Sequence, residues 1–273
     1  MKALIDGDIL RYEIGYAAET GWRNIRETEE IPPFDYVEEM LLNRISIILS
    51  QTHADSYCLY LTEGRTFRYD LAKRRPYKGN RVDKKPWHFR NLSEYMRASL
   101  PTEIVTGIEA DDAMAIALTN NPEQSVICSR DKDLKQIPGY GYSWELGKSP
   151  GFGPQMIDEV GEITLSADRK NVKGTGFKFF CAQMLMGDKV DNIPGIIGVG
   201  PVAVINLLNS LDSKDSLLHV IITEYQKCYG EEWEEEFIEQ GNLLWIVREL
   251  EEDGSPKIWE NVWREFEKDL YKV

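Results

Sequence analysis

Carboxylates stand where short apolar runs of this chain end. Three of them lie just past such runs: Asp6, Glu63 and Asp131. Apolar runs of this length predict buried strands, and the carboxyl ends of parallel strands meet in a ligand-binding crevice at one edge of the sheet. Two carboxylates about 4 Å apart repel by roughly 4 kcal/mol at an effective dielectric constant near 20. A group of carboxylates gathered at this edge therefore requires cations.

Further acidic residues accompany these three. Most of the 46 acidic residues are expected to be solvated surface. The segment from Glu109 to Asp112, however, is followed directly by an apolar run at residues 113–118. On a helix face that only keeps the protein soluble, acidic and apolar residues would alternate instead. Oxygen ligands without a neighbouring imidazole or thiolate favour Mg²⁺ or Mn²⁺. The candidate metal ligands are Asp6, Glu63, Glu109, Asp111, Asp112, Asp131, Asp133, Asp188 and Asp191, and Asp8 is an outer-shell carboxylate or a helix cap.

The charge of the chain reverses locally. A formal net charge of −14 by itself argues against a nucleic-acid partner. Between Arg65 and Arg97, however, eleven Lys or Arg residues stand against three acidic residues, and aromatic residues alternate with them. This composition is typical of a groove that follows phosphates and stacks unpaired bases, and a solvated basic loop is the alternative. Residues of this basic segment include Arg74, Arg75, Tyr77, Lys78, Arg81, Lys84, Lys85 and Trp87.

A glycine-rich segment follows a second acidic pair. Asp188 and Asp191 are three residues apart, so both face one way on a helical turn. Gly195, Gly198 and Gly200 permit close backbone approach, and the helix predicted after them presents free N–H groups to an anion. A simple helix connector has the same composition. The adjoining acidic pair favours a clamp for a nucleic-acid backbone.

Strands and helices alternate along the first part of the chain. Strands are predicted near residues 3–6, 57–62, 103–105 and 126–129, and helices after the first strand, over 34–52 and over 110–120. Loops are predicted at 21–33 and 149–154. The alternation predicts an α/β fold with a central, mostly parallel sheet flanked by helices.

Helical signals dominate beyond about residue 165. We expect two domains, an α/β core over residues 1–165 that carries the basic segment at about 65–100, and a helical region over 166–273. With 42% hydrophobic and 29% charged residues the composition is that of an ordinary globular protein. The chain has neither a long apolar stretch nor a secretory signal, and its four cysteines are far apart, which predicts free thiols and a cytoplasmic location.

Together these motifs resemble those of the metal-dependent 5′ nucleases, which comprise flap endonucleases, the 5′→3′ exonuclease domain of bacterial DNA polymerase I and phage 5′→3′ exonucleases. The matching segments occur in the family's order at residues 5–8, 62–64, 77–81, 107–112, 129–133 and 187–200. The resemblance implies a PIN-like nuclease core and a helical arch formed by the basic segment. It also implies a helix-three-turn-helix element at about residues 186–209 that grips the backbone of duplex DNA.

The resemblance also implies roles for individual residues. Six carboxylates resemble the shell of a first metal ion: Asp6, Glu63, Glu109, Asp111, Asp112 and Asp131. Asp133, Asp188 and Asp191 resemble a more distal set around a second ion. Lys78 and Arg81 resemble cations that contact the scissile phosphate, and Tyr77 resembles a stacking platform for an unpaired base. The family often binds K⁺ through backbone carbonyls of the glycine-rich segment.

The chain departs from the family's pattern at three places. Many members have a small polar residue in place of Asp8, and several have an arginine in place of Glu13, for which Arg11 is a candidate substitute. The C-terminal tail lacks the glutamine-plus-aromatic clamp-binding pattern of eukaryotic flap endonucleases. The absence of this clamp-binding pattern favours a bacterial or phage member of the family.

The function implied is that of a 5′→3′ exonuclease or flap endonuclease in DNA replication or repair. It would hydrolyse DNA phosphodiesters with two Mg²⁺ or Mn²⁺ ions and leave 5′-phosphate products. The expected partners are DNA with a 5′ end, nick or flap and replication proteins that the sequence does not identify. Two alternatives stay open: a 5′ nuclease that acts mainly on RNA in RNA–DNA hybrids, and a catalytically silent, structure-specific DNA-binding protein.

Overall fold

The computed structural model describes residues 1–26, 30–82 and 84–270, and for residues 269 and 270 only the backbone. The chain divides into two units. Unit 1 consists of Met1–Arg65, Val82–Lys132 and Gly139–Met156, and unit 2 of Thr66–Arg81, Asp133–Pro138 and Ile157–Val273. The basic segment therefore contributes residues to both units. The predicted domains, separated near residue 165, stay a prediction.

The strands of the main sheet follow the apolar runs of the sequence. They are β1 (Lys2–Asp6), β2 (Ser56–Thr66), β3 (Thr102–Gly107), β4 (Ser125–Cys128), β5 (Gly139–Ser143) and β6 (Phe152–Ile157). Within the described residues, these six strands form one sheet in the order β3-β2-β1-β4-β5-β6. β1 runs parallel to β2 and β4, and β4 runs parallel to β5. The nearly continuous burial of β1 and β4 is that of central parallel strands covered on both faces.

The described α-helices follow in chain order. They are α1 (Gly7–Arg26), α2 (Phe34–Thr52), α3 (Arg68–Leu71), α4 (Phe89–Ser99), α5 (Ala110–Asn120), α6 (Gly176–Met186), α7 (Pro201–Leu208), α8 (Lys214–Tyr229), α9 (Trp233–Leu244) and α10 (Trp259–Leu270). Helices α2 and α5 have the bounds that apolar periodicity predicted. Among the described helices, none is both long and apolar enough to cross a membrane.

Helix α1 extends into the stretch predicted to be a loop at residues 21–33. The reason is a set of side-chain contacts on its last turns, where Trp22 packs against Tyr36 with ring centroids 5.3 Å apart. Arg26, four residues further on, lies 5.0 Å from the Trp22 ring, a spacing that supports helix formation. The loop prediction is therefore wrong for residues 21–26, and residues 27–29 lie outside the described part of the chain. The loop predicted at 149–154 is likewise wrong from Phe152, where β6 begins.

Each unit has its own hydrophobic core. In unit 1 the buried faces of α1 and α2 supply Leu10, Ile14 and Leu41 to a cluster with residues of β1, β2 and β4. In unit 2 aromatic residues dominate: the Phe180 and Trp259 rings are 4.7 Å apart. Separate cores allow each unit to hold its own functional residues in place.

In the helical part of unit 2, two helices flank the glycine-rich segment, where the sequence predicts a helix-three-turn-helix element. Helix α6 ends at Met186, the glycine-rich segment occupies residues 187–200, and α7 begins at Pro201. Strands β7 (Ile163–Leu165) and β8 (Val172–Gly174) form a short antiparallel pair that the sequence did not indicate. The C-terminal helical region itself is confirmed.

Candidate metal centre and nucleic-acid interface

Asp6 ends β1 and is 1% exposed. Its Oδ1 accepts the backbone N–H of Ile9 at 2.9 Å, so Asp6 also caps the first turn of α1. Its Oδ2 accepts the hydroxyl of Ser129 at 2.7 Å. The next residue must be small, because a Cβ on Gly7 would lie 2.7 Å from the carbonyl oxygen of Tyr60. One carboxylate oxygen of Asp6 is thus fixed by the start of α1 and the other by Ser129, which follows β4.

Ser129 links the carboxylate of Asp6 to the backbone of Asp131, a second acidic residue. The backbone N–H of Asp131 donates to Ser129 Oγ at 2.9 Å, while the same hydroxyl donates to Asp6. Asp6 ends β1, and Asp131 follows β4. The strand order reverses between these two strands, and such a switch point is where parallel sheets bind ligands. The sequence did not identify Ser129, although a small polar residue directly after a buried strand is a signal for this role.

Asp8 lies in the first turn of α1 and contacts β2. Its carboxylate accepts the backbone N–H of Thr62 at 3.2 Å and pairs with Arg11 at 2.6 Å. Thr62 in turn accepts the N–H of Ala110 through its hydroxyl at 2.8 Å, which ties β2 to the start of α5. Of the two roles open for Asp8, the helix cap is wrong, because Asp6 caps α1.

The acidic start of α5 is partly structural. Asp112 is fully buried, and its Oδ2 accepts the backbone N–H of Glu109 at 2.9 Å. Asp111 and Glu109 are partly exposed. Glu63 lies further out on β2, where its carboxylate pairs with Arg97 of α4 at 3.0 Å and about half of each side chain is exposed. The structure therefore gives Glu63 and Asp112 protein partners.

The electrostatics of the carboxylate group fit a cation. The pKa of the Asp6 carboxyl is raised from 3.8 to about 7, mainly by burial and then by the charges of Asp8 and Asp131. Burial also raises the pKa of Asp8, with a contribution from Glu109, although Arg11 opposes the shift. These carboxylates thus destabilise one another's charged forms, and a bound divalent cation removes that penalty. An all-oxygen donor set suits Mg²⁺ or Mn²⁺.

The carboxylates are not arranged as a complete set of ligands around one metal ion. Among the described residues, no three His, Cys, Asp or Glu side chains converge as ligands of one ion. The metal-binding roles of the nine carboxylates stay predictions.

Glu13 stands where several members of the family have an arginine. Its carboxylate accepts the indole N–H of Trp144 at 2.9 Å and pairs with Arg44 at 3.3 Å. It also pairs with Arg130 at 3.6 Å, the residue next to Asp131. Glu13 is therefore the centre of a largely buried charge network, whereas Arg11 is the cation beside Asp8.

In unit 2, Asp191 binds three residues in the middle of the basic segment. Its carboxylate accepts the hydroxyl of Tyr77 at 3.1 Å and pairs with Arg81, and its carbonyl accepts the N–H of Lys78 at 3.0 Å. The side chain of Asn80 donates to the carbonyl of Lys189 at 2.7 Å. The Tyr77 ring is 4% exposed, so in this conformation it presents no open face to a base.

The other acidic residues of unit 2 are fixed by local contacts. Asp188 is buried and accepts the N–H of Val190 at 2.7 Å. Asp133 accepts the side-chain amide of Gln183 at 2.6 Å. The glycine-rich segment folds back on itself and brings Gly195 close to Gly187. A Cβ on Gly195 would lie 2.2 Å from the backbone nitrogen of Gly187, so no larger residue fits there. Gly198 and Gly200 have open space around them, which is compatible with close approach of a partner.

The remaining basic residues differ in their surroundings. Arg74 pairs with Glu236 of α9 at 2.7 Å, although the sequence predicts it to contact DNA. Arg75, Lys84 and Lys85 are exposed. The Lys85 ammonium lies 5.1 Å from the ring centroid of Phe89. The predicted nucleic-acid contacts of all four residues stay predictions.

The chain is similar in sequence to parts of bacterial DNA polymerase I, although it matches no protein-family model. It is 35% identical over 159 residues to the enzyme of Pseudomonas aeruginosa, covering 50% of this chain and 15% of the relative. It is 28% identical over 230 residues to that of Chloroflexus aurantiacus, covering 81% of this chain and 23% of the relative. The chain thus spans less than a quarter of the length of the curated relatives it matches.

The fold is shared with a phage nuclease. The 5′-exonuclease of phage T5 with bound zinc superposes with a TM-score of 0.55 at 17% identity, covering 87% of this chain and 88% of that chain. The T5 flap endonuclease in a product complex with DNA and metal ions gives a TM-score of 0.54 at 15% identity, covering 89% and 98%. The fold is therefore that of the 5′ nucleases. The resemblance to this family that the motifs predicted is confirmed.

Proposed function

We propose that this protein is a 5′ nuclease that hydrolyses DNA phosphodiesters at a 5′ end, nick or flap and leaves 5′-phosphate products. The observation that carries the proposal is the buried Asp6, linked through Ser129 to Asp131 and flanked by Asp8 at the switch point of the sheet. A buried carboxylate with acidic neighbours is costly unless it has a cationic partner. The fold shared with the T5 nuclease supports the same function.

The carboxylates would hold two Mg²⁺ or Mn²⁺ ions. The first set is Asp6, Glu63, Glu109, Asp111, Asp112 and Asp131, with Asp8 outside it, and the second set is Asp133, Asp188 and Asp191. When bound, such ions supply an activated water and stabilise the departing 3′ oxygen. Carbonyls of the segment from Gly195 to Gly200 would bind K⁺ as this segment grips the duplex backbone.

The other polar side chains of the two units would have separate tasks. Ser129 and the N–H of Ile9 orient Asp6, and Arg11 compensates part of the charge of Asp8. Lys78 and Arg81 would stabilise the negative charge that grows on the phosphate in the transition state. Lys78 has a left-handed backbone with a φ of 55°, and its N–H is bonded to Asp191, so its position is fixed by the segment's fold.

The test is cleavage of end-labelled blunt, nicked and 5′-flapped DNA duplexes with and without Mg²⁺. We expect Mg²⁺-dependent release of 5′ products by the wild-type protein and by Glu123→Gln, an exposed carboxylate variant away from the site. Asp131→Asn should lose most of this activity. Matched RNA–DNA hybrids test the RNA-directed alternative. Binding of flapped DNA without cleavage in Mg²⁺ or Mn²⁺ would leave only the silent DNA-binding alternative and reject the proposal.

A further inference from the structure

Two glutamines, Gln136 and Gln183, lie in the core of unit 2. Gln136 ends the short 3₁₀ helix Asp133–Gln136 and is 0% exposed, and Gln183 lies on α6 and is 2% exposed. Every residue of α6 from Gly176 to Leu185 is buried, so an apolar side chain would suit position 183 better if burial alone decided. The hydrogen bonds of this glutamine pair indicate why amides stand here.

The hydrogen bonds of the glutamine pair run in one direction, towards Asp133. The Nε2 of Gln136 donates to Oε1 of Gln183 at 2.6 Å, and the Nε2 of Gln183 donates to Oδ1 of Asp133 at 2.6 Å. An ionised carboxylate only accepts hydrogen bonds, so Gln183 must turn its N–H group to Asp133 and its carbonyl oxygen to Gln136. The opposite orientation of the Gln183 amide would lose both hydrogen bonds. The amide therefore has a single favourable orientation.

Gln136 is itself anchored at the end of α9. Its Nε2 also donates to the carbonyl of Leu244, the last residue of α9, at 3.4 Å. Its backbone carbonyl accepts the guanidinium of Arg248 at 3.1 Å, and this guanidinium lies 4.1 Å from the ring centroid of Trp245. Within the described residues, the Oε1 of Gln136 is buried and has no hydrogen-bond partner. An unsatisfied buried acceptor lowers stability, so packing alone does not account for Gln136.

The hydrogen bond from Gln183 orders the Asp133 carboxylate without neutralising it. An amide donor carries no net charge, whereas the guanidinium of Arg81 opposes the charge of Asp191. Carboxylates that bind metal ions are themselves held by hydrogen bonds from neighbouring groups. The arrangement of the glutamine pair and Asp133 is therefore that of a metal ligand and its support.

We propose that Gln183, oriented by Gln136, is a positioning residue that holds Asp133 ready to bind the second metal ion. The proposal rests on the proposed function, which places Asp133 in the set around that ion. Gln183 would contact neither the ion nor DNA and would act only through Asp133. Loss of such a supporting hydrogen bond lowers metal affinity about 10- to 100-fold. If the glutamine pair only tied the 3₁₀ helix to α6, its loss would change stability alone.

The test measures metal affinity separately from stability. Binding of Mn²⁺ is followed through the electron paramagnetic resonance signal of the free ion, and urea unfolding in EDTA gives the stability. We expect two classes of Mn²⁺ site in the wild type. Gln183→Leu, a change to an apolar side chain of similar size, should weaken one class about tenfold or more and leave the other unchanged. Gln226→Leu replaces an exposed glutamine of α8 and is the matched control, which should change neither class.

Two double variants distinguish positioning from a purely structural role. Gln183→Leu leaves the Gln136 amide without its acceptor, and adding Gln136→Leu removes that amide, so stability should recover at least in part. Mn²⁺ affinity should stay low in this double variant, because Asp133 still lacks its donor. Asp133→Asn should already weaken the same class of site, and adding Gln183→Leu should cause no further loss, since Gln183 acts through Asp133.

Four results would overturn the proposal. They are equal Mn²⁺ affinity in Gln183→Leu and the wild type, recovery of affinity together with stability, a full additional loss in the Asp133→Asn background, and no Mn²⁺ uptake by the wild type. Failure of the proposed function is distinguishable, because it would appear as Mn²⁺ uptake that depends on Gln183 without cleavage of flapped DNA.

Discussion

The hydroxyl group of Tyr77 donates a hydrogen bond to Asp191 across 114 residues of chain. The other carboxylate oxygen of Asp191 pairs with Arg81, so one acidic residue holds two members of the basic segment. An ion bound at Asp191 would compete with Arg81 for the same carboxylate. Release of Arg81 would then free its guanidinium for a phosphate.

Asp191→Asn should therefore loosen the basic segment in the metal-free protein. The amide retains an acceptor for Tyr77 but removes the charge that pairs with Arg81, a partly exposed contact that contributes roughly 1 kcal/mol at most. We expect trypsin in EDTA to cleave after Lys78 and Arg81 about two- to fivefold faster than in the wild type. Mass spectrometry of the fragments measures both sites. Val190→Ala, in the same loop and 59% exposed, is the control; equal rates in Asp191→Asn and the wild type would show that Asp191 does not hold the segment.

The raised pKa of Asp6 makes the metal-free fold sensitive to pH. Because the folded pKa of about 7 exceeds the ordinary value of 3.8, the folded state binds this proton more tightly than the unfolded state does. Ionisation of Asp6 therefore lowers the free energy of unfolding, and this loss grows as the pH rises from about 4 to about 7. Asp6→Asn should raise the Tm in EDTA at pH 8, and its advantage should shrink as pH falls through 7.

Mg²⁺ should reverse this order at pH 8 by raising the Tm of the wild type more than that of Asp6→Asn. Thermal unfolding followed by circular dichroism gives both comparisons. A Tm difference between the two proteins that is independent of pH would contradict the assigned cost of the Asp6 charge.

Glu13→Ala should lower the free energy of unfolding. Its carboxylate is largely buried and serves Trp144, Arg44 and Arg130, so Glu13→Ala leaves buried donors without their acceptor. Loss of one partner from a buried charge network costs about 3–5 kcal/mol, which urea unfolding measures. Glu94→Ala removes only an exposed pair with Arg90 at 2.8 Å and should cost well under 1 kcal/mol. Similar losses in both variants would mean that the Glu13 network contributes little.

Lys78→Ala should slow cleavage more than it weakens binding. Its ammonium is proposed to act on charge that develops in the transition state, so kcat should fall at least tenfold while the Kd for duplex in EDTA changes little. Single-turnover kinetics and anisotropy separate the two quantities. Lys148→Ala removes an exposed cation between β5 and β6 and is the control. A defect confined to affinity would assign Lys78 to binding alone.

The elements with strong periodicity were predictable from the sequence. Val37, Leu41, Ile45 and Ile48 recur at helical spacing, and all four are buried in α2. The end of α1 was not predictable in this way, because its last turns are held by the Trp22 contacts rather than by an apolar stripe. The start of β6 contains glycine and proline, which locally indicate a loop, yet it joins the edge of the sheet.

The sequence predicted the types of residue in the candidate site better than it predicted their hydrogen-bond partners. Strand-end positions predicted that Asp6 and Asp131 would lie at one edge of the sheet, and the Ser129 hydroxyl connects the Asp6 carboxylate to the Asp131 backbone. The partner of Asp191 was not predictable, because Tyr77 lies 114 residues away and no local pattern connects them. The burial of Tyr77 and the exposure of Trp87 depend on tertiary packing in the same way.

Uptake of Mn²⁺ by the purified protein tests directly whether the carboxylates bind a divalent cation. It is followed through the electron paramagnetic resonance signal of the free ion. We expect that the wild type and Glu123→Gln remove Mn²⁺ from solution, that Mg²⁺ displaces it, and that Asp131→Asn takes up less. A free-ion signal that the folded wild-type protein leaves undiminished, or equal uptake by Asp131→Asn, would contradict this expectation.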